Sequence, residues 1–155
     1  MIFRKATAND ITKIVEMLVE DELGKTREVF QYPLPSEYRD AFKNIDKDPN
    51  QELIVVESDS AEIIETMQLS FIQYLTYRGG LRAQIEAVRI RKDKRGIGIG
   101  RMIFKWAENR AKERNAHLLQ LTTDKKRPDS IEFYTKIGFK ATHEGMKLQL
   151  CENKT

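Results

Sequence analysis

The segment Arg95-Gly96-Ile97-Gly98-Ile99-Gly100-Arg101 combines residue types that bind anions. It lies between a strand-like pattern and an amphipathic helical one. Glycines there let the backbone approach a ligand closely, and the unpaired N–H groups of a helix's first turn form an anion site. Between residues 89 and 101 six cations, Arg89, Arg91, Lys92, Lys94, Arg95 and Arg101, face one acid, Asp93, so phosphate is the natural guest. A nucleotide P-loop would close on Lys followed by Ser or Thr; Arg101-Met102 stands here instead. A dinucleotide fold would set the glycines after the first strand of a βαβ unit, with an acid ending the next strand about 20 residues on. Leu118–Thr122 ends without one, and Asp124 comes late. A plain strand-to-helix connection remains the alternative for the glycines. Two His and the lone Cys151 offer no metal-ligand cluster and no internal disulfide, so no metal is expected.

The elements around this turn follow from periodicity. Ile2–Arg4 reads as a short strand. Thr7-Ala8-Asn9-Asp10 has the form of a capping box before Ile11, Ile14, Val15, Leu18 and Val19, an amphipathic helix expected to end near Gly24. Tyr32-Pro33-Leu34-Pro35 is a loop, and a second helix is expected over Ser36–Lys47. Period two then predicts strands at Leu53–Glu57 and Glu62–Leu75, a turn at Gly79-Gly80, and a strand at Leu81–Ile90. In that last strand Leu81, Ala83, Ile85 and Ala87 are expected on one face and Gln84, Glu86, Val88 and Ile90 on the other. After the glycines a helix should run to Arg114, followed by a strand at Leu118–Thr122. A helix opened by Pro128 and ended by Gly138 comes next, and Phe139–Ala141 and Met146–Leu150 close as strands. No repeat or linker divides the chain, so one domain over 1–155 is expected, an α/β mixture around a mostly antiparallel sheet with one late parallel crossover.

Arg95-x-x-Gly98-x-Gly100 resembles the Arg/Gln-x-x-Gly-x-Gly/Ala motif with which the GNAT superfamily of N-acetyltransferases binds the pyrophosphate of acetyl-coenzyme A. Ile85–Ile90 is similar to the family's strand that pairs with the pantetheine arm, and Phe133-Tyr134-Thr135-Lys136-Ile137-Gly138-Phe139 to its Phe-Tyr-x-x-x-Gly-Phe segment. The opening strand, two helices and hairpin also match, so the resemblance covers residues 2–150. It implies a strongly twisted, mostly antiparallel sheet with about four flanking helices, and an acetyl-CoA-dependent N-acetyltransferase with acetyl-CoA as co-substrate. The cofactor residues it implies are Val88, Arg89, Ile90, Arg95, Gly96, Ile97, Gly98, Ile99, Gly100 and Arg101. Arg127, where the family often carries Asn, is assigned to the cofactor or the substrate. The family also often has Gly where Glu65 stands in the hairpin.

Acetyl transfer from a thioester to an amine needs a held donor, a polarised carbonyl, a neutral attacking nitrogen and a protonated leaving sulfur. The resemblance gives the carbonyl to the Val88 N–H region and the sulfur's proton to Tyr134. An alkylamine of pKa about 10.4 costs roughly 4.6 kcal/mol to deprotonate at pH 7, which makes a base useful. Glu86, expected to be partly desolvated beside Val88, is the candidate, acting through water. The resemblance also implies an acceptor side built by the first helices, the loop after them and the last strands, here Asp21, Glu22, Arg27 and Tyr32 with His143 and Glu144, where Asp21-Glu22 is suited to attract a cationic amine. His117 and His143 fall outside the motifs and are read as surface or packing residues.

Composition narrows the partners. Longest apolar runs of four residues, such as Leu53–Val56, fall short of the about 20 needed to cross a bilayer. No signal-peptide pattern opens the chain, which makes the cytoplasm the default compartment. Residues 1–75 hold 8 basic and 15 acidic side chains and residues 76–155 hold 19 and 9, leaving an acidic first half and a basic second half. The basic half suits a phosphorylated cofactor. The 89–101 patch lacks interleaved aromatics and a recognition-helix pattern, so nucleic acid is not an expected partner. A small-molecule amine is expected, with a homodimer open. A non-catalytic CoA-sensing module is the alternative function.

Overall fold

Alternating apolar residues between positions 51 and 90 build the centre of the protein. They lie in a sheet of β1 (Ile2–Lys5), β2 (Gln51–Glu57), β3 (Ile63–Gln73), β4 (Leu81–Ile90) and β5 (Leu118–Leu121), whose spatial order is the chain order. The computed structural model describes residues 1–21 and 24–150. The first four strands pair antiparallel, and β5 joins β4 parallel. A parallel return demands a crossover. The helices are α1 (Ile11–Val19), α2 (Ser36–Lys47), the short α3 (Thr76–Gly79), α4 (Ile99–Glu113) and α5 (Pro128–Lys136), and α4 makes that crossover.

The sheet separates two apolar clusters. On one face Ile11, Ile14, Val15 and Met17 of α1 pack with Phe42 of α2 onto Val55 and Ile63. On the other, Ile99, Ile103, Phe104 and Ala107 of α4 cover Met67, Leu69 and Ile85, and α5 adds Phe133 and Tyr134. Each fully buried aliphatic side chain here contributes roughly 1.5–3 kcal/mol. Polar ties set the angles of the elements. Thr7 N donates to Asp10 Oδ2 at 2.7 Å, and Arg4 reaches both Asp10 oxygens from β1, at 2.7 and 3.0 Å. Buried Glu52 of β2 accepts Arg110 of α4 at 2.7 Å.

Three expectations change. First, α1 ends at Val19, where its apolar period runs out, rather than near Gly24. Second, Phe139–Ala141 and Met146–Leu150 are not strands. Met146, Leu148 and Leu150 do alternate, but they are 95, 85 and 86% exposed. Alternation makes a strand only where a neighbouring ladder accepts it, and β5 pairs with β4 alone. Third, β3 ends at Gln73 rather than Leu75, and a short α3 with Tyr77 and Arg78 at φ of 54° and 56° precedes the turn at Gly79-Gly80.

Candidate functional site

β4 parts from β5 after Ile85. Their ladder runs from Arg82 opposite Leu118 to Ile85 opposite Leu121. Among the described residues the β4 backbone from Glu86 to Ile90 therefore has no strand along that edge, so the N–H and C=O groups turned that way have no ladder partner. Two of the carbonyls already hold guanidinium donors: Val88 O accepts Arg89 Nη1 at 2.7 Å and Ile90 O accepts Arg95 Nε at 3.0 Å.

Along its other edge β4 bulges. Gln68 pairs with Glu86 and Thr66 with Arg89, so Ala87 and Val88 together oppose Met67. Ala87 absorbs the extra residue at φ 53°. The bulge overturns the expected alternation. Val88 packs with Leu81 against the α4-side cluster, and the Ile90 side chain reaches Gly100 on that same side. Arg89 is sent to the α1 side, where it meets Asp21.

The glycine turn leads directly from this open edge. A single 3-10 turn, Lys92–Lys94, delivers the chain to Gly96 and Gly98, which take φ of 79° and 89° with open space where a Cβ would stand. Gly98 is the N-cap of α4 and gives no side-chain cap, so first-turn N–H groups are left for a ligand. Ile97 is exposed, whereas Ile99 is buried in the core and offers only its backbone. Gly100 has a different task. A Cβ there would press on Ile90 Cδ1 at 3.2 Å and Phe133 Cζ at 3.3 Å, so its glycine lets α4 pack closely.

Tyr134 of α5 packs on the α4-side cluster, with its ring against Phe104 at 5.4 Å, Phe133 at 5.5 Å and Phe139 at 6.0 Å. Its hydroxyl makes no hydrogen bond to the described residues. Burial pushes the phenol's pKa up, against the pull of the Arg127 and Arg89 guanidiniums, so it keeps its proton at neutral pH. Glu86, expected to be partly desolvated, is exposed and accepts Gln84 Nε2 at 2.9 Å. The bulge explains this, because it leaves Glu86 on the opposite face from Val88.

Of the residues expected on the acceptor side, Asp21 is already ion-paired. Asp21 accepts a hydrogen bond from Arg127 Nη2 and lies 3.4 Å from Arg89 Nη2. Burial raises its pKa, but the two guanidiniums outweigh burial and hold the carboxyl below its usual range. Asp21 thus already has two cationic partners of its own; Glu22 of the expected Asp21-Glu22 pair lies outside the described residues. Arg27 Nε sits 3.4 Å from Glu28 Oε1. Tyr32 is 79% exposed beside Phe30. Glu144 pairs with Lys125 at 2.8 Å, His143 Nδ1 shares a hydrogen bond with Thr142, and His117 Nδ1 one with the Leu81 carbonyl.

The joining of Asp21, Arg89 and Arg127 has no local signal in the sequence. Glu65 is the other unexpected feature. This residue lies in β3 opposite Val56 and Ile90, fully buried, with both carboxyl oxygens unpartnered and its pKa pushed up to about 9 by burial. The signal was present: one acid inside the otherwise uncharged run Ile63–Met67.

Residues 15–139 match the model of the Acetyltransferase (GNAT) family. The chain is 27% identical over 140 residues to aminoalkylphosphonate N-acetyltransferase of Salmonella typhimurium, covering 90% of this chain and 85% of that protein. A structure described as a transcriptional regulator from Bacillus halodurans is 50% identical and superposes with a TM-score of 0.92 over 96% of this chain and 99% of its own. A predicted acetyltransferase with acetyl-CoA from Clostridium acetobutylicum is 27% identical, with a TM-score of 0.74 over 96% of each chain.

Proposed function

The chain belongs to the GNAT acetyltransferase family, and we propose that it moves an acetyl group from acetyl-CoA to a primary amine of a small molecule. One observation carries this reading: among the described residues the β4 edge beyond Ile85 has no strand partner and runs into a glycine turn at the uncapped start of α4, and the protonated Tyr134 hydroxyl feels the field of Arg89 from that strand. The Clostridium structure with acetyl-CoA supports the donor, and the Salmonella N-acetyltransferase supports an amine acceptor.

Acetyl-CoA supplies an activated acyl group as its thioester. The N–H groups between Gly96 and Arg101, with Arg95 and Arg101, hold the pyrophosphate at the positive end of α4. Val88 and Ile90 pair through their backbones with the pantetheine arm, and the Val88 N–H polarises the acetyl carbonyl. Glu86, open to solvent, takes the ammonium proton through water. Tyr134 Oη hands its proton to the departing sulfur.

Acetyl-CoA should stabilise the fold far more than NAD or ATP does. A ligand at about 100 times its Kd adds roughly 2.7 kcal/mol, which a thermal-shift series reads directly. Equal shifts with all three nucleotides would count against an acetyl-CoA site. A second reading, a CoA-sensing module without turnover, has in its favour the 50% identical structure described as a transcriptional regulator. It predicts the same acetyl-CoA shift with no product.

A further inference from the structure

A knot of charges lies between the start of α5, the bulged part of β4 and the chain after α1. Arg89 is at its centre and only 9% exposed. Of its donors, Nη1 meets the Val88 carbonyl at 2.7 Å and Nη2 is 3.4 Å from Asp21 Oδ2, while Nε is buried and has no partner. An unpaired N–H on a buried guanidinium is costly and points to a missing acceptor. Arg127 binds the same Asp21 oxygen. Arg27 acts on Arg89 through space, as do Arg127 and Glu28. Among the described residues, three guanidiniums thus face two carboxylates, Asp21 and Glu28, a net positive charge. Exposure of the side chains rises from Arg89 through Arg127 at 30% to Arg27 at 52%, so the knot opens to solvent on one side. Arg127 and Arg89 are also the two cations whose fields reach the Tyr134 hydroxyl.

Resting on the transfer reading above, we infer that Arg27, Arg89 and Arg127 select an acceptor amine that itself carries an oxyanion. The unpartnered Arg89 Nε–H and the Arg127 guanidinium take the anion, and Arg27 guides it in from solvent. Guanidiniums suit this task because their planar donors match the paired oxygens of a phosphonate, phosphate or carboxylate. Asp21 keeps the Arg89 and Arg127 guanidiniums in register when no substrate is bound. The amino end of the same molecule is then left toward Tyr134.

The test compares 2-aminoethylphosphonate, β-alanine and ethanolamine, three short primary amines of which the last has no anionic group. For the wild type, kcat/KM should be at least tenfold higher for an anionic amine than for ethanolamine, and the first two amines distinguish a phosphonate from a carboxylate. In Arg89→Met that preference should fall about 10- to 100-fold, the loss of charge-assisted hydrogen bonds, and should appear chiefly in KM. Arg27→Ala alters a half-exposed side chain and should lower the preference about threefold to tenfold, which keeps the test valid if Arg89→Met fails to fold. Ethanolamine used as well as the anionic amines, or a preference unchanged in Arg27→Ala, overturns the inference and leaves the transfer reading standing. Calorimetric titration separates the converse case. Binding of 2-aminoethylphosphonate to the wild type that weakens in Arg27→Ala supports the anion site even if no amine is acetylated, and absence of binding together with absence of turnover overturns both.

Discussion

Tyr134→Phe should lower the single-turnover rate of acetyl transfer by about 10²–10⁴-fold while leaving the acetyl-CoA dissociation constant nearly unchanged. The ring makes the packing contacts, against Phe104, Phe133 and Phe139, and phenylalanine preserves them. The hydroxyl bonds to none of the described residues, so its loss costs the fold little. What is lost is the proton. Burial keeps that phenol protonated, and Arg127 and Arg89 steady the phenolate that forms when the proton leaves. Single-turnover kinetics are the proper readout, because product release can mask a chemical step in steady state. A wild-type single-turnover rate in Tyr134→Phe would return the residue to a packing role.

Glu65 carries the second large effect, on stability and its pH dependence. Burial with no partner raises the carboxyl's pKa from 4.5 to about 9, so the folded protein holds a proton that the unfolded chain releases above pH 4.5. Between those limits the folded state binds more protons, and stability falls as pH rises, by about 1.4 kcal/mol per unit at most. From pH 5.5 to 7.5 this removes roughly 3 kcal/mol, equivalent to a Tm decrease of roughly 6–12 °C for a domain of this size. Glu65→Gln keeps the shape and cannot titrate. Its Tm should therefore drop less than the wild type's across that interval, and parallel Tm curves would show that Glu65 is ionised or partnered in the fold.

The parts of this site legible in the sequence are those whose information is local. Gly96 and Gly98 announce a turn with left-handed backbone, the apolar spacing of Ile99, Ile103 and Ala107 announces α4, and Pro128 and Gly138 bracket α5. The bulge was not legible, because nothing in an alanine marks φ 53°, yet that residue decides that Val88 faces α4 and Arg89 faces α1. Nor was the guanidinium knot, since Arg89 and Arg127 lie 68 and 106 positions from Asp21 and meet it only when sheet and helices have packed. Met146, Leu148 and Leu150 have the correct period for a strand and no partner, which shows that pattern alone does not supply a ladder.

The most direct measurement of the central claim follows thiol release and acetylated product together when the wild-type protein is incubated with acetyl-CoA and a panel of primary amines. If the protein is an N-acetyltransferase, at least one amine should yield free CoA and N-acetyl product in equal amounts, well above the rate without protein. Tight acetyl-CoA binding with no product from any amine in the panel would contradict it and leave the fold as a sensor of its ligand.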